Sequence, residues 1–111
     1  MRNFSHMPTG GAVYGTLLNH REALAALGDQ VNVAPYKAPP KAPILYIKPR
    51  NTWAQSGDAV VVPADAPELQ MGATLGVVIG NTACKVSAAD ALNYVAGYVV
   101  MNDISVPHDS F

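Results

Sequence analysis

Two cations that directly follow a short apolar segment have a spacing that could support chemistry. Lys48 and Arg50 stand at positions i and i+2 in "ILYIKPRNTW", with Pro49 between them to restrict the backbone. If this backbone stays extended, both side chains face one side and could clamp the carboxylates of an anionic substrate. The alternative is a pair of solvated turn charges that bind nothing. The spacing leaves both interpretations open.

Asp103 is the second candidate, because it ends the otherwise apolar segment "YVVMND". A carboxylate at the end of a strand can act as a metal ligand or as a general base. The same residue type also commonly caps the following turn. One carboxylate does not make a cage for Mg²⁺ or Ca²⁺, so Asp103 by itself does not predict a metal site.

The other reactive side chains form no pattern typical of a catalytic site. His6, His20 and His108 lack metal-ligand spacing, and the serines lack a G-x-S-x-G elbow. No glycine-rich nucleotide loop is present. Cys84 is the single cysteine and is expected to be a half-buried packing residue. No catalytic residue is therefore assigned from spacing.

Composition and charge favour one soluble globular domain. The 111 residues are 50% hydrophobic and 14% charged, and the net charge of −1 favours neither nucleic acid nor an anionic membrane as a partner. No apolar run reaches the roughly 18 residues of a membrane span, and no signal peptide is recognisable. A cytoplasmic location is the expectation.

The elements that would position these residues are mainly strands, with short helices, in an α+β arrangement. Strands are expected over residues 12–18, 44–47, 59–62, 69–80 and 98–103. A first helix is expected to start at Asn19, with Glu22 as its capping-box partner, and a second at Ser87, with Asp90 in that role. Residues 1–11 are expected to be a loose leader, and residues 12–111 the domain.

Three segments occur in the order and at the spacing seen in the fumarylacetoacetate hydrolase superfamily. They are "LYIKPRNT" (45–52), "GATLGVVIG" (72–80) and "YVAGYVVMNDIS" (94–105). They are similar to the superfamily patterns F-x-K-x-x-N-T, E-x-E-L-x-V-V-I-G and V-x-G-Y-x-x-x-N-D-x-S. Over residues 12–111 the chain resembles this superfamily, and in particular the amino-terminal half, or first subunit, of its bifunctional isomerase/decarboxylases of 4-hydroxyphenylacetate (homoprotocatechuate) degradation.

The resemblance implies a fold of mixed β-rolls and an enzyme that acts on 2-hydroxyhepta-2,4-diene-1,7-dioate and 5-oxopent-3-ene-1,2,5-tricarboxylate. It also implies Mg²⁺ or Mn²⁺ held by the E-x-E pair and a later Asp, where the metal chelates the 2-oxo-acid or enol end of a small dicarboxylate. The superfamily pattern continues past "NDIS", so the sequence is expected to be the amino-terminal portion of a truncated domain.

Carried over residue by residue, the resemblance implies a degenerate metal site on this chain. The two glutamates of the E-x-E pair fall on Gly72 and Thr74, and neither residue offers a carboxylate to a hard cation. Asp103 matches the third ligand and would be a relic. Lys48 matches the substrate lysine, with Arg50 beside it as a second residue for substrate carboxylates.

Three functional interpretations follow from the resemblance. In the first, the chain is part of the isomerase/decarboxylase and is inactive alone, while a homologous second half, a partner subunit or a homo-oligomer supplies the intact metal site. In the second, it is a non-catalytic structural subunit that supports an active paralogue. In the third, it is another hydrolase or tautomerase of the superfamily that works without the glutamate pair, with His20 or His108 as its base.

Overall fold

The chain forms two compact units, each built around its own small sheet. The structure is a computed structural model that describes residues 2–3 and 10–107. Of the described residues, one unit comprises 11–53, and the other comprises 2–3, 10 and 54–107. Strands account for more of the described residues than the single α-helix does, which confirms the α+β class.

The unit of residues 11–53 contains a two-stranded antiparallel sheet. Strand β2 (Val13–Leu17) pairs with strand β3 (Ile44–Lys48), so that Val13 lies opposite Lys48. Both strands are rich in β-branched and aromatic residues, which favour extended backbone. Pro43 and Pro49 flank β3 and cannot donate ladder hydrogen bonds, so they set its bounds. The strands expected over 12–18 and 44–47 are confirmed.

The one α-helix among the described residues, α1 (Arg21–Leu27), follows β2. Its N-cap is His20, without a side-chain hydrogen bond, so the predicted capping box of Asn19 and Glu22 is wrong. The helix ends at Gly28, whose φ of 50° suits glycine. A 3-10 helix (Gly28–Asn32) follows and carries Val31, which is 8% exposed.

The second unit contains a three-stranded mixed sheet of order β1–β5–β4. Strand β5 (Val95–Asn102) pairs antiparallel with β4 (Ala73–Ile79) and parallel with β1 (Arg2–Asn3). The strands expected within 69–80 and 98–103 are therefore present. β1 falls in the segment expected to be a loose leader, whose residues 1 and 4–9 lie outside the described residues.

Two predicted elements of this unit are wrong. Residues 59–62, "AVVV", form no strand, because extended backbone becomes a strand only when another strand pairs with it. The second helix is a turn followed by a 3-10 helix (Ala91–Tyr94). Ser87 and Asp90 do make the expected local hydrogen bonds, with Ser87 Oγ 2.7 Å from Asp90 Oδ2 and 3.2 Å from the Asp90 amide nitrogen. These bonds start a turn but do not propagate an α-helix.

Each sheet has one face on which large apolar side chains remain exposed. On β4 and β5 these are Leu75, Val77, Ile79 and Val100, with Leu75 paired opposite Val100, which is 81% exposed. On β2 and β3 they are Tyr14, Leu45 and Ile47. Among the described residues, Val31 is the buried apolar side chain. No helix in this part of the chain combines the length and apolar content needed to cross a membrane.

Gly80 provides a test of the β4–β5 packing. A Cβ at this position would lie 2.7 Å from Ala96 Cβ and 3.3 Å from Ala96 Cα, and this backbone cannot move aside easily. We therefore expect Gly80→Ala to lower the free energy of unfolding in urea by roughly 1–3 kcal/mol. Gly10→Ala is the matched control, because a Cβ at Gly10 meets nothing within 4 Å. Equal stabilities of the two variants would contradict the packing.

Candidate functional site

The segment from Lys48 to Trp53, here called the Lys48–Trp53 corner, is a turn closed by four hydrogen bonds. After β3 ends at Lys48, Pro49 remains extended and a 3-10 helix (Arg50–Thr52) begins. The Pro49 carbonyl accepts from Thr52 twice, from its amide at 2.9 Å and its hydroxyl at 2.7 Å. The Trp53 amide donates to the Arg50 carbonyl at 3.1 Å. The Trp53 indole Nε1–H donates to the Lys48 carbonyl at 2.8 Å.

Each of the two candidate cations lies over an aromatic ring. Lys48 Nζ is 5.4 Å from the centroid of the Tyr46 ring, and Arg50 Cζ is 5.7 Å from that of Trp53. Lys48 is half-buried, whereas Arg50 is exposed. Cation–π contacts of this kind contribute about 0.5–1 kcal/mol at exposed sites. They restrict the positions of both charges.

Gly15 of β2 supports the Tyr46 ring. Gly15 and Tyr46 are directly paired across the sheet, and a Cβ at position 15 would collide with the Tyr46 ring. The ring therefore lies against the Gly15 backbone, and Lys48 lies over the ring from two residues further along β3. Gly15, Tyr46 and Lys48 thus form a contact chain on one face of the sheet.

The corner changes one part of the predicted geometry. The expectation that Lys48 and Arg50 face one side assumed an extended backbone through both residues. The backbone is extended only as far as Pro49, and Arg50 begins the 3-10 helix, so that assumption is wrong. Both cations belong to the hydrogen-bonded corner. Each lies over its own aromatic ring, Lys48 over Tyr46 and Arg50 over Trp53. Their role in substrate binding stays a prediction.

The positions that match the superfamily's metal ligands lie together in the other unit. The Asp103 amide donates to the Gly72 carbonyl at 2.7 Å, and Thr74 pairs opposite Met101. A Cβ at Gly72 would lie 3.9 Å from Asp103 Cβ. Because side chains alternate along both strands, positions 72, 74 and 103 share one face of the sheet. The backbone therefore brings the three positions together.

The residues at these positions do not fit Mg²⁺ or Mn²⁺. Such hard cations require several oxygen ligands, usually including carboxylates, and only Asp103 of the three has one. Asp103 is half-buried, and its Oδ1 atom is inaccessible to solvent. Within residues 10–107 no group of three His, Cys, Asp or Glu side chains is placed to hold a metal ion. The three positions therefore offer one carboxylate, one threonine hydroxyl and, at Gly72, no side-chain ligand.

The remaining candidates do not join either group of residues. His20 is exposed at the start of α1, while His6 and His108 lie outside the described residues. Cys84 is exposed, so the prediction of a half-buried cysteine is wrong. Tyr46, Gly15 and Trp53 were not predicted from the sequence as parts of a site. Only the i−2 spacing of Tyr46 from Lys48 on one strand face could have indicated a contact.

The sequence profile described as "Fumarylacetoacetate (FAA) hydrolase C-terminal" matches residues 12–110. The chain therefore belongs to the fumarylacetoacetate hydrolase family, which confirms the resemblance carried by its three motifs. Related proteins of this family are enzymes with isomerase and decarboxylase activities.

Among its relatives are bifunctional isomerase/decarboxylases of 4-hydroxyphenylacetate degradation. The chain is 43% identical to one from Escherichia coli and 39% identical to one from Salmonella dublin, each over 101 residues that make up 91% of this chain. It spans only 23% of the length of each of these two proteins. An oxaloacetate tautomerase of Caenorhabditis elegans is 31% identical over 78% of the chain and 37% of its own length.

Two substitutions test whether the backbone at positions 72, 74 and 103 retains the geometry of a metal site. The double variant Gly72→Glu/Thr74→Glu places two carboxylates on the face that carries Asp103. We expect its affinity for Mn²⁺, measured by calorimetry with oxalate present, to exceed that of the wild-type chain by roughly tenfold or more.

Gly72→Gln/Thr74→Gln is the control, since it adds similar bulk without charge. Adding Asp103→Asn to the glutamate variant should reverse the gain. Micromolar binding of Mn²⁺ by the wild-type chain would instead mean that other side chains supply the ligands.

Proposed function

We propose that this chain is the substrate-carboxylate-binding part of a 4-hydroxyphenylacetate (homoprotocatechuate) catabolic isomerase/decarboxylase. The substrates of the whole enzyme would be 2-hydroxyhepta-2,4-diene-1,7-dioate and 5-oxopent-3-ene-1,2,5-tricarboxylate. The observation that carries the proposal is the Lys48–Trp53 corner, where Lys48 ends β3, Arg50 follows it, and each cation lies over an aromatic ring. Similarity to the bifunctional enzymes over 91% of the chain supports the choice of pathway.

Lys48 and Arg50 would act on the charge of the substrate. Both substrates carry several carboxylates, and isomerisation or decarboxylation moves further negative charge onto an enolate oxygen. A lysine offers three N–H donors and an arginine offers five in a planar fork, so the two side chains complement different carboxylates. Because they are already held over Tyr46 and Trp53, little reorganisation is needed when the anion arrives.

The metal chemistry of the family belongs, in this proposal, to another segment. Gly72 and Thr74 cannot contribute carboxylates, and Asp103 would remain as a relic ligand. A homologous second half or subunit, or a homo-oligomer, would supply the complete site for Mg²⁺ or Mn²⁺. The two small sheets would then be parts of the mixed β-roll that the resemblance implies.

Replacing Lys48 tests the substrate role directly. In an assembly reconstituted with a metal-competent homologous partner, we expect Lys48→Ala to lower kcat/KM by about ten- to a hundredfold, the usual cost of losing a charge-assisted hydrogen bond. The assay follows turnover of the two proposed substrates. Lys41→Ala is the control, because Lys41 is an exposed lysine between Pro40 and Pro43. An unchanged kcat/KM for Lys48→Ala would contradict a role of Lys48 in substrate binding.

A scaffold role is the second candidate, and the exposed apolar face of β4 and β5 favours it. Leu75, Val77, Ile79 and Val100 make this face, and burying such side chains against a partner is worth about 25 cal/mol per Å² of apolar surface. The partner in this proposal is a homologous half or subunit, or a second copy of the chain. An active partner whose turnover rises when this chain is added would support the role.

The same leucine-to-lysine substitution, made on this face and at another exposed site of the unit, tests whether this face is the interface. Leu75 is 63% exposed on the sheet, and Leu92 is 75% exposed in the 3-10 helix Ala91–Tyr94. We expect Leu75→Lys to weaken association with the partner by at least about tenfold in sedimentation velocity, because a charge would enter the interface. Leu92→Lys should leave association unchanged. Equal effects of both variants would exclude this face as the interface.

A further inference from the structure

Trp53 contacts both residues of the proposed anion site. Its indole N–H donates to the Lys48 carbonyl at 2.8 Å, and its ring lies 5.7 Å from Cζ of Arg50. It is the single tryptophan of the chain and is half-buried. A phenylalanine would offer the ring face without a donor, and a leucine would offer neither. The two contacts together require an aromatic ring that carries a donor, which the indole of Trp53 provides.

The hydrogen bond lies where it can control the path of the backbone between the two cations. Lys48 is the last residue of β3, and Pro49 has no amide hydrogen with which to continue the ladder. The Trp53 side chain is bonded across five residues to the Lys48 carbonyl, which fixes the peptide plane between Lys48 and Pro49. With the Arg50 carbonyl also accepting from the Trp53 amide, the starting points of both side chains are fixed relative to each other.

We propose that Trp53 is the positioning residue that sets the spacing of Lys48 and Arg50, and that it thereby selects a dicarboxylate over a monocarboxylate. This inference rests on the proposed substrate role of the two cations. A ligand with two carboxylates gains from a fixed separation of two cations, because both contacts then form without further ordering. A ligand with one carboxylate needs only one cation and gains little from that separation.

The first test needs no ligand and uses NMR of the full chain. Lys48 lies over the Tyr46 ring, so its Hε protons should have a ring-current shift in the wild-type chain. A scalar coupling between the Trp53 indole nitrogen and the Lys48 carbonyl carbon should report the hydrogen bond. In Trp53→Phe we expect the Lys48 carbonyl carbon to move and the Hε ring-current shift to decrease. Absence of the coupling in the wild-type chain would overturn the inference, even if the variant did not fold.

The second test compares succinate, a dicarboxylate, with butyrate, a monocarboxylate of the same carbon number, as probes. We expect Trp53→Phe to weaken succinate binding by about three- to tenfold, as for the loss of one hydrogen bond, and butyrate binding by less than about twofold. Trp53→Leu, which also removes the ring under Arg50, should weaken succinate binding further. Tyr14→Phe is the control, because Tyr14 is exposed on the face of β2 opposite to Gly15, away from Tyr46 and Lys48.

The outcomes separate this inference from the proposed function. If Trp53→Phe keeps the wild-type Hε shift and the wild-type preference for succinate, Trp53 does not position the cations. If the role of Trp53 were structural alone, Trp53→Phe would lower the free energy of unfolding and leave the Hε shift and the preference for succinate unchanged. If the wild-type chain binds no succinate, the proposed substrate role fails, and the ligand-free signals alone then decide whether Trp53 positions Lys48.

Discussion

A sheet has two faces, and in each unit of this chain one face is mostly half-buried while the other is exposed. On β4 and β5, one face carries Leu75, Val77 and Val100 into solvent, while positions 76, 97 and 99 are more buried. Strands β2 and β3 expose Tyr14 and Ile47 in the same way. Isolated two- and three-stranded sheets are marginally stable in water without a covered apolar face. Whatever covers these faces therefore also determines how firmly the Lys48–Trp53 corner and the face of Asp103 are held.

The corner is less dependent on such cover, because it is built from local bonds. Pro49 ends the pairing of β3, the Thr52 hydroxyl and amide both bind the Pro49 carbonyl, and the Trp53 indole binds the Lys48 carbonyl. All of these contacts span five residues or fewer, so little chain entropy is lost in forming them. The longer contacts of Tyr46 with Gly15 and of Lys48 with Val13 follow from the β2–β3 register. Most of the contacts that hold the two cations thus lie within residues 44–53, and the rest come from β2.

Sequence patterns correctly predicted the strands whose ends are set by neighbouring residues. Pro43 and Pro49 bracket β3, and the apolar runs of β4 and β5 coincide with observed strands. The pattern failed over residues 59–62, where the backbone needs a pairing partner that local propensity cannot provide. It also failed at Ser87, whose hydrogen bonds start only a turn. Lys48, Arg50 and Asp103 could be named as candidates by type and position. Of the two cation–ring contacts, spacing could indicate only that of Lys48 with Tyr46, because such contacts also depend on side-chain directions.

The face of Asp103 shows why a sheet of this family can persist without carboxylates at positions 72 and 74. Three carboxylates on one face repel each other unless a cation or a bound proton neutralises part of their charge. Here Gly72 and Thr74 remove two of the charges, while the Gly72 carbonyl still accepts from the Asp103 amide. The Asn102 side chain also accepts from the Gly72 amide at 3.1 Å and contacts Met71 Sδ at 3.4 Å. The Asp103–Gly72 and Gly72–Asn102 hydrogen bonds hold this end of the sheet through backbone and amide groups, so the β4–β5 register does not require carboxylates at positions 72 and 74.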